Sequence, residues 1–353
     1  MIKVLIVEDS PVVREFLTHI LGSDPEMEVI GTAHNGEEAL EAVERLKPDV
    51  VTMDIHMPKL NGFDATRRIM ETRPIPIVIV SGSSTVEEVA TTFRALEAGA
   101  LSIVPRPKGI GHPEHEATAR ELVRTVKLMS EVKVVRRWPR SRAGGAPAPA
   151  PQLRPGKAPA EVRLVAMGAS TGGPIVLQTI LSGLHKDFPA PVLIVQHMAP
   201  GFAAGFVEWL AQTTNFPVHL AGQGEAMAPG HAYVAPDGFH MGVRSVGRIA
   251  LSKDDLENGL RPSVSYLFRS VAQVYGPYVV GVLLTGMGSD GAGELKLMKE
   301  RNAVTIVQDR ESSVVYGMPG EAMKLDAAAY ALPPEKIGEV LRGLAVKKQE
   351  STP

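Results

Sequence analysis

Short β-branched runs alternate with amphipathic segments along this chain, and the alternation breaks once, across a stretch without the apolar periodicity that a core needs. The first half reads Val4-Val7 then Pro11-Leu21, Val29-Ile30 then Glu37-Leu46, Val50-Met53 then Phe63-Met70, Ile77-Val80 then Val86-Leu96, and Leu101-Val104 then Glu114-Ser130. Five strands alternating with five helices predict an α/β fold with a doubly wound parallel sheet, because parallel strands need crossovers and helices cover the sheet faces. Ligands of such sheets bind at the carboxyl ends of the strands.

The second half resumes the pattern with Val162-Met167, Ile175-Leu184, Val192-Val195, Gly205-Thr213 and Val218-Leu220. A looser section follows, in which Ala232-Ala235, Met241-Val243 and Arg248-Leu251 predict hairpins, before Val264-Tyr275, Val279-Leu284, Gly293-Glu300, Val304-Val307 and Gly320-Lys324. This is a second α/β domain with a mostly parallel sheet, as a chain of 353 residues leads one to expect. Between the halves, Arg136 to Ala160 is rich in proline, alanine and arginine and reads as a tether; as a flexible coil it spans roughly 25–30 Å. Arg136, Arg137, Arg140, Arg142 and Arg154 form either a basic binding patch or, the better reading, the solvated face of that tether.

Composition removes several function classes. Cysteine is absent, which excludes disulfides, thiol catalysis and thiolate metal sites. A formal net charge of −2 offers no field for nucleic acid and no polybasic membrane address. The apolar run after Met1-Ile2-Lys3 is too short for a signal peptide, and no later run approaches a spanning length, so the expectation is a cytoplasmic protein without membrane insertion.

Chemistry gathers at the strand ends. Glu8 and Asp9 follow the first strand, Asp54 the third, Ser81 the fourth and Arg106 the fifth. Any one acid there reads equally as a helix cap. Three carboxylates at one sheet edge repel one another, and a hard divalent cation with oxygen ligands, Mg²⁺ being the natural one, is the remedy.

In the second half, Gly168-Ala169-Ser170-Thr171-Gly172-Gly173-Pro174 lies between a strand and a helix and lifts one hydroxyl, Ser170, into the open. His197 follows Val192-Val195, and Asp290 lies beyond Val279-Leu284, so serine, histidine and aspartate are available for a nucleophilic triad. Gly-x-Ser-x-Gly also matches the α/β-hydrolase elbow, but the order serine, histidine, aspartate differs from that fold's serine, acid, histidine. A dinucleotide loop wants an acid at the end of the next strand, where this chain has Gln196-His197. Plain helix capping stays open for Ser170 and for Asp290, taken singly. Glycines on both sides of Met287 let the backbone approach a reacting centre, where the Met287 N–H donates to an oxyanion.

Two resemblances follow. Residues 1 to about 125 resemble a response-regulator receiver, through Val7-Glu8-Asp9-Ser10, Met53-Asp54-Ile55-His56-Met57-Pro58, Asn61-Gly62 and Val80-Ser81-Gly82. The resemblance implies a flavodoxin-like (βα)5 fold and phosphorylation of Asp54 by a histidine kinase of a chemotaxis-type two-component pathway. It implies Mg²⁺ held by Glu8, Asp9, Asp54 and a carbonyl of Ile55 or His56, with Ser81 and Arg106 sensing the phosphoryl oxygens. Arg106 stands where receivers carry lysine, and Ile103 where they usually carry an aromatic residue.

Residues 161 to 345 are similar to the catalytic domain of chemotaxis-type protein-glutamate methylesterases. The likeness rests on the Ser170 turn, Val195-Gln196-His197-Met198, His231-Ala232-Tyr233-Val234-Ala235-Pro236, Arg261-Pro262-Ser263-Val264, Thr285-Gly286-Met287-Gly288-Ser289-Asp290-Gly291 and Val314-Val315-Tyr316-Gly317-Met318-Pro319. It implies hydrolysis of glutamate γ-methyl esters on the cytoplasmic helices of chemoreceptors, with glutamine deamidation beside it and no cofactor for the esterase. Ser170 attacks, His197 moves the proton, Asp290 orients His197, the Met287 N–H holds the oxyanion and Thr171 shapes its site. The unphosphorylated receiver is expected to cover the Ser170 face. Ser265, where the family often has aspartate, and Asp237 are expected to tune recognition of the substrate helix. The expected organisation is a receiver over residues 1–130, a linker over 131–160 and the esterase over 161–347. The competing classes are a catalytically silent receptor- or kinase-binding module and a nucleotide-dependent oxidoreductase.

Overall fold

A computed structural model describes residues 1–82, 85–132, 134 and 161–346, so the Pro/Ala/Arg-rich stretch and its arginines lie outside the described residues. The chain divides into two units after Gly144.

In the first unit five parallel strands, β1 (Ile2–Val7), β2 (Met27–Ala33), β3 (Val50–Met53), β4 (Ile77–Ser81) and β5 (Ser102–Pro105), lie in the order β2-β1-β3-β4-β5. The crossovers are α1 (Pro11–Gly22), α2 (Gly36–Leu46), α3 (Gly62–Thr72) and α4 (Val86–Glu97), with α5 (His115–Ser130) after β5. Their starts are written locally. Ser10, Asn35, Asn61 and Thr85 each accept from a backbone N–H of the first turn, and Thr85 with Glu88 closes a capping box. Strands buried on both faces, such as Val50–Met53, explain the continuous apolar runs.

The second unit carries a seven-stranded sheet in the order β14-β13-β12-β6-β7-β9-β8, parallel throughout. Its members are β6 (Leu164–Ala169), β7 (Val192–Gln196), β8 (Val218–Leu220), β9 (Ala232–Val234), β12 (Val279–Leu283), β13 (Val304–Gln308) and β14 (Tyr330–Leu332). A separate antiparallel hairpin joins β10 (His240–Ser245) to β11 (Arg248–Ser252). The helices are α6 (Gly173–Ser182), α7 (Ala203–Thr214), α8 (Val264–Tyr275), α9 (Ala292–Glu300), α10 (Met318–Lys324) and α11 (Pro334–Val346). Helix α6 packs with α7 and α11, and α8 with α9. Phe268, Leu267, Leu295 and Met298 of α8 and α9 enclose the apolar core with Leu164, Leu193 and Leu283 of the strands.

Two expectations change. Ala232-Ala235 is no hairpin: β9 runs parallel between β7 and β8, a placement set by long-range pairing that a run of three residues cannot announce. Strand β14 and helix α11 extend the fold beyond the alternation read from the sequence, β14 because it is three residues long and only its last residue is buried.

Candidate functional site

The first unit brings its strand-end acids together. Ligand oxygens of Glu8, Asp9 and Asp54 lie within 4.8 Å of one another, with Glu8 and Asp54 buried and Asp9 exposed. Arg106 crosses from β5 and sets Nη2 3.3 Å from Glu8 and 3.9 Å from Asp54. Gly82 leaves room for this, since a Cβ there comes within 3.1 Å of the guanidinium. Burial, and then the neighbouring Asp54 charge, push the Glu8 carboxyl up to about 7 against the pull of Arg106. Burial also raises Asp54. A divalent cation suits this donor set, because it supplies the positive charge that one arginine cannot. Ser81 is buried at the end of β4, its Oγ 3.3 Å from that of Thr92. The His56 side chain is exposed and stands outside the cluster, and the Ile55 carbonyl accepts the Gly62 N–H at 2.9 Å.

In the second unit the sheet order reverses around β6, which lies between β12 and β7. Such a reversal opens a crevice at the strand ends. Ser170 follows β6, His197 follows β7 and Asp290 lies in the loop after β12. The strands hold the three in register: His197 N–H donates to Ala169 O at 2.9 Å, and Ser170 N–H to Thr285 O at 3.0 Å. Gly286 is required beside the nucleophile, for a Cβ there stands 2.6 Å from Ser170 Cβ.

Asp290 Oδ2 lies 2.9 Å from His197 Nε2, an ion-pair contact whose ring N–H is not aligned for a hydrogen bond. The imidazole therefore turns Nδ1 away from the acid, free for the reacting proton. Asp290 also accepts from Ser263 Oγ at 2.9 Å, Val264 N–H at 2.6 Å, Ser265 N–H at 3.1 Å and Asn258 Nδ2 at 3.4 Å. Burial alone raises the Asp290 carboxyl, but the adjacent imidazole of His197 and these donors outweigh it and hold it far below the usual aspartate range. Asp290 does not cap α9, whose N-cap is Gly291 without a side-chain bond; it sits at the amino end of α8, where the helix dipole favours the anion. Among the described hydrogen bonds Ser170 Oγ has no partner, as is common for a catalytic hydroxyl without substrate.

Thr171 lies beside Ser170, and its carbonyl accepts from Thr285 Oγ1 at 2.9 Å. Met287 is exposed on the following loop, whose backbone is braced by Gly317: a Cβ at Gly317 meets Gly286 O at 2.6 Å and Met287 Cα at 3.1 Å. Ser265 is placed away from a substrate-reading surface, and Asp237 anchors a turn. Ser265 is buried and accepts the Gly291 N–H at 2.9 Å, while Asp237 accepts the Gly201 N–H at 2.8 Å just before α7. Gln196, to which the sequence assigns no role, joins the site. Its buried Nε2 donates to the carbonyls of both Ser170 and His197 at 2.8 Å, and its only signal in the sequence is a polar residue closing an apolar strand.

Among the described residues no helix is long and apolar enough to cross a membrane. Residues 165–341 match the CheB methylesterase family model, and residues 4–112 match the response regulator receiver domain. The chain is 64% identical to the protein-glutamate methylesterase/protein-glutamine glutaminase 4 of Geobacter metallireducens, over 99% of this chain and all of that one. It is 60% identical to the namesake enzyme of Nitrosospira multiformis over 99% of both chains. The crystal structure of the Thermotoga maritima CheB methylesterase catalytic domain superposes with a TM-score of 0.50 and 38% identity, covering 52% of this chain and 99% of that one.

Proposed function

This chain belongs to the CheB methylesterase family, with a response regulator receiver ahead of the esterase, and from that premise we propose how its residues perform and control ester hydrolysis. It is a phosphorylation-regulated protein-glutamate methylesterase and protein-glutamine glutaminase. The silent binding module is set aside by that relationship.

Ser170 Oγ attacks the γ-ester carbonyl carbon while His197 Nδ1 takes its proton. Asp290 stays ionised and stabilises the imidazolium through Nε2. The oxyanion rests on the Met287 N–H at a site shaped by Thr171, a donor worth about 3–4 kcal/mol in the barrier. Collapse expels methanol with the proton from His197, and water then cleaves the acyl-enzyme to the free γ-carboxylate. A glutamine substrate follows the same path with ammonia leaving. The observation carrying this reading is the 2.9 Å approach of Asp290 to His197 on the strand next to that of Ser170.

Asp54 accepts the phosphoryl group; Glu8, Asp9 and Asp54, whose ligand oxygens converge, would hold Mg²⁺ together with the His56 carbonyl. Once held there, the cation would supply positive charge against the phosphoryl oxygens during transfer. Arg106 and Ser81 then engage the phosphoryl oxygens. The phosphoryl donor is a histidine kinase of a chemotaxis-type pathway, and the substrates are methylated cytoplasmic helices of chemoreceptors, so the enzyme works in the cytoplasm without membrane insertion. The domains span 1–130 and 161–347, and 131–160 is their linker. Methanol release from methylated receptor fragments tests the reading: wild type releases it and Ser170→Ala does not, whereas release by both overturns Ser170 as nucleophile.

A further inference from the structure

Beyond the triad, the loop that follows β13 carries a cation of unassigned role. Arg310 is exposed, and its guanidinium carbon lies 4.5 Å from the centroid of the Tyr316 ring. Among the described residues no carboxylate lies within 4.0 Å of it, although Glu311 is its neighbour in sequence. Asp309, on its other side, is engaged by the N–H and Oγ of Ser312.

The platform beneath Arg310 is braced by packing and hydrogen bonds. Tyr316 lies across Gly320 of α10, where an added Cβ comes within 3.1 Å of the ring. Ser313 Oγ donates to Asp309 O at 2.6 Å, and Val315 N–H to Thr285 Oγ1 at 3.0 Å. The loop is also next to the chemistry. Tyr316 pairs in parallel with Gly286, the residue that abuts Ser170. At a strand spacing of about 4.8 Å, Tyr316 stands about 10 Å from the nucleophile. A guanidinium stacked on an aromatic ring spends its face there and keeps its edge N–H groups for a carboxylate.

We propose that Arg310 recognises an acidic side chain of the substrate protein, one that lies one to two helical turns from the scissile ester. The proposal rests on the esterase reading and adds a selectivity to it. With a helical pitch of about 5.4 Å, that carboxylate is carried by the same substrate helix, on the same face as the ester. Esters flanked by free glutamates are then preferred over esters whose neighbours are already methylated. Each hydrolysis creates a carboxylate that favours removal of the next methyl group.

The test compares wild type, Arg310→Ala and Arg310→Glu on a methylated receptor fragment and on a small uncharged ester. On the fragment, Arg310→Ala raises KM about three- to ten-fold at unchanged kcat, and the difference fades at high salt. On the small ester all three enzymes are alike. Replacing the flanking glutamate of the fragment by lysine restores Arg310→Glu and not wild type. Equal kinetics on the fragment overturn the proposal, as does a parallel loss on both esters, which makes Arg310 a structural residue. A wild-type enzyme that releases no methanol overturns the esterase reading, and this proposal with it.

Discussion

At the scale of single residues, the nucleophile and its base are held by groups that do no chemistry themselves. Gln196 spends both amide hydrogens on the carbonyls of Ser170 and His197, so the relative position of nucleophile and base depends on one side chain. Gln196→Met keeps the length and removes the donors; kcat for methanol release is expected to fall about 10–100-fold with KM within two-fold, since small displacements of reacting groups cost that much. Asp290 makes a second residue-scale prediction. Its folded-state pKa is depressed below the ordinary 3.8, so it stabilises the fold fully above that value, and the contribution is lost as pH falls through the lower folded one. Asp290→Asn therefore lowers the melting temperature at pH 7, and the deficit narrows below about pH 4. A deficit independent of pH contradicts an ionised Asp290 paired to its donors.

At the scale of elements, the catalytic acid is organised by a helix distant in sequence. Ser263 caps α8, accepting from Tyr266 N–H at 3.3 Å, and the same hydroxyl donates to Asp290. Ser263→Ala removes a cap worth about 1 kcal/mol and one partner of the acid, so both thermal stability and kcat are expected to drop. The β12–α9 loop is constrained from the other side. Gly286→Ala forces a methyl group against Ser170, and activity is expected to fall more than about 100-fold while the far-UV circular dichroism stays native. Retained activity contradicts the contact.

At the scale of the whole molecule, control and chemistry lie in different units. Deleting residues 1 to about 135 is expected to raise basal esterase activity, as steric inhibition by the unphosphorylated receiver requires; a truncated enzyme no faster than the resting full chain contradicts it. The acidic pocket adds a pH dependence. With the Glu8 carboxyl pushed up to about 7, a divalent cation competes with a proton there, so its apparent affinity is expected to rise with pH up to about 7 and to level off above. Titration calorimetry in two buffers of different ionisation enthalpy reads the released proton directly.

Much of this was legible in the chain because it is local. Alternating apolar runs and helix caps are short-range properties, and a parallel sheet follows from the alternation. The turn at Ser170 and the residues following each strand were legible too, because a doubly wound sheet puts ligands at its carboxyl ends. Three things depend on residues far apart in sequence, and only the tertiary structure decided them. Strand β9 joins the parallel sheet through pairings with β7 and β8 rather than through any pattern of its own. Asp290 serves the amino end of α8, 25 residues away from Ser265, instead of the helix it directly precedes. Gln196 looks like the polar end of a strand until the neighbouring strand brings Ser170 O within 2.8 Å. Local propensity acts over a few residues, whereas a buried hydrogen bond is specified by which strand ends the fold makes adjacent.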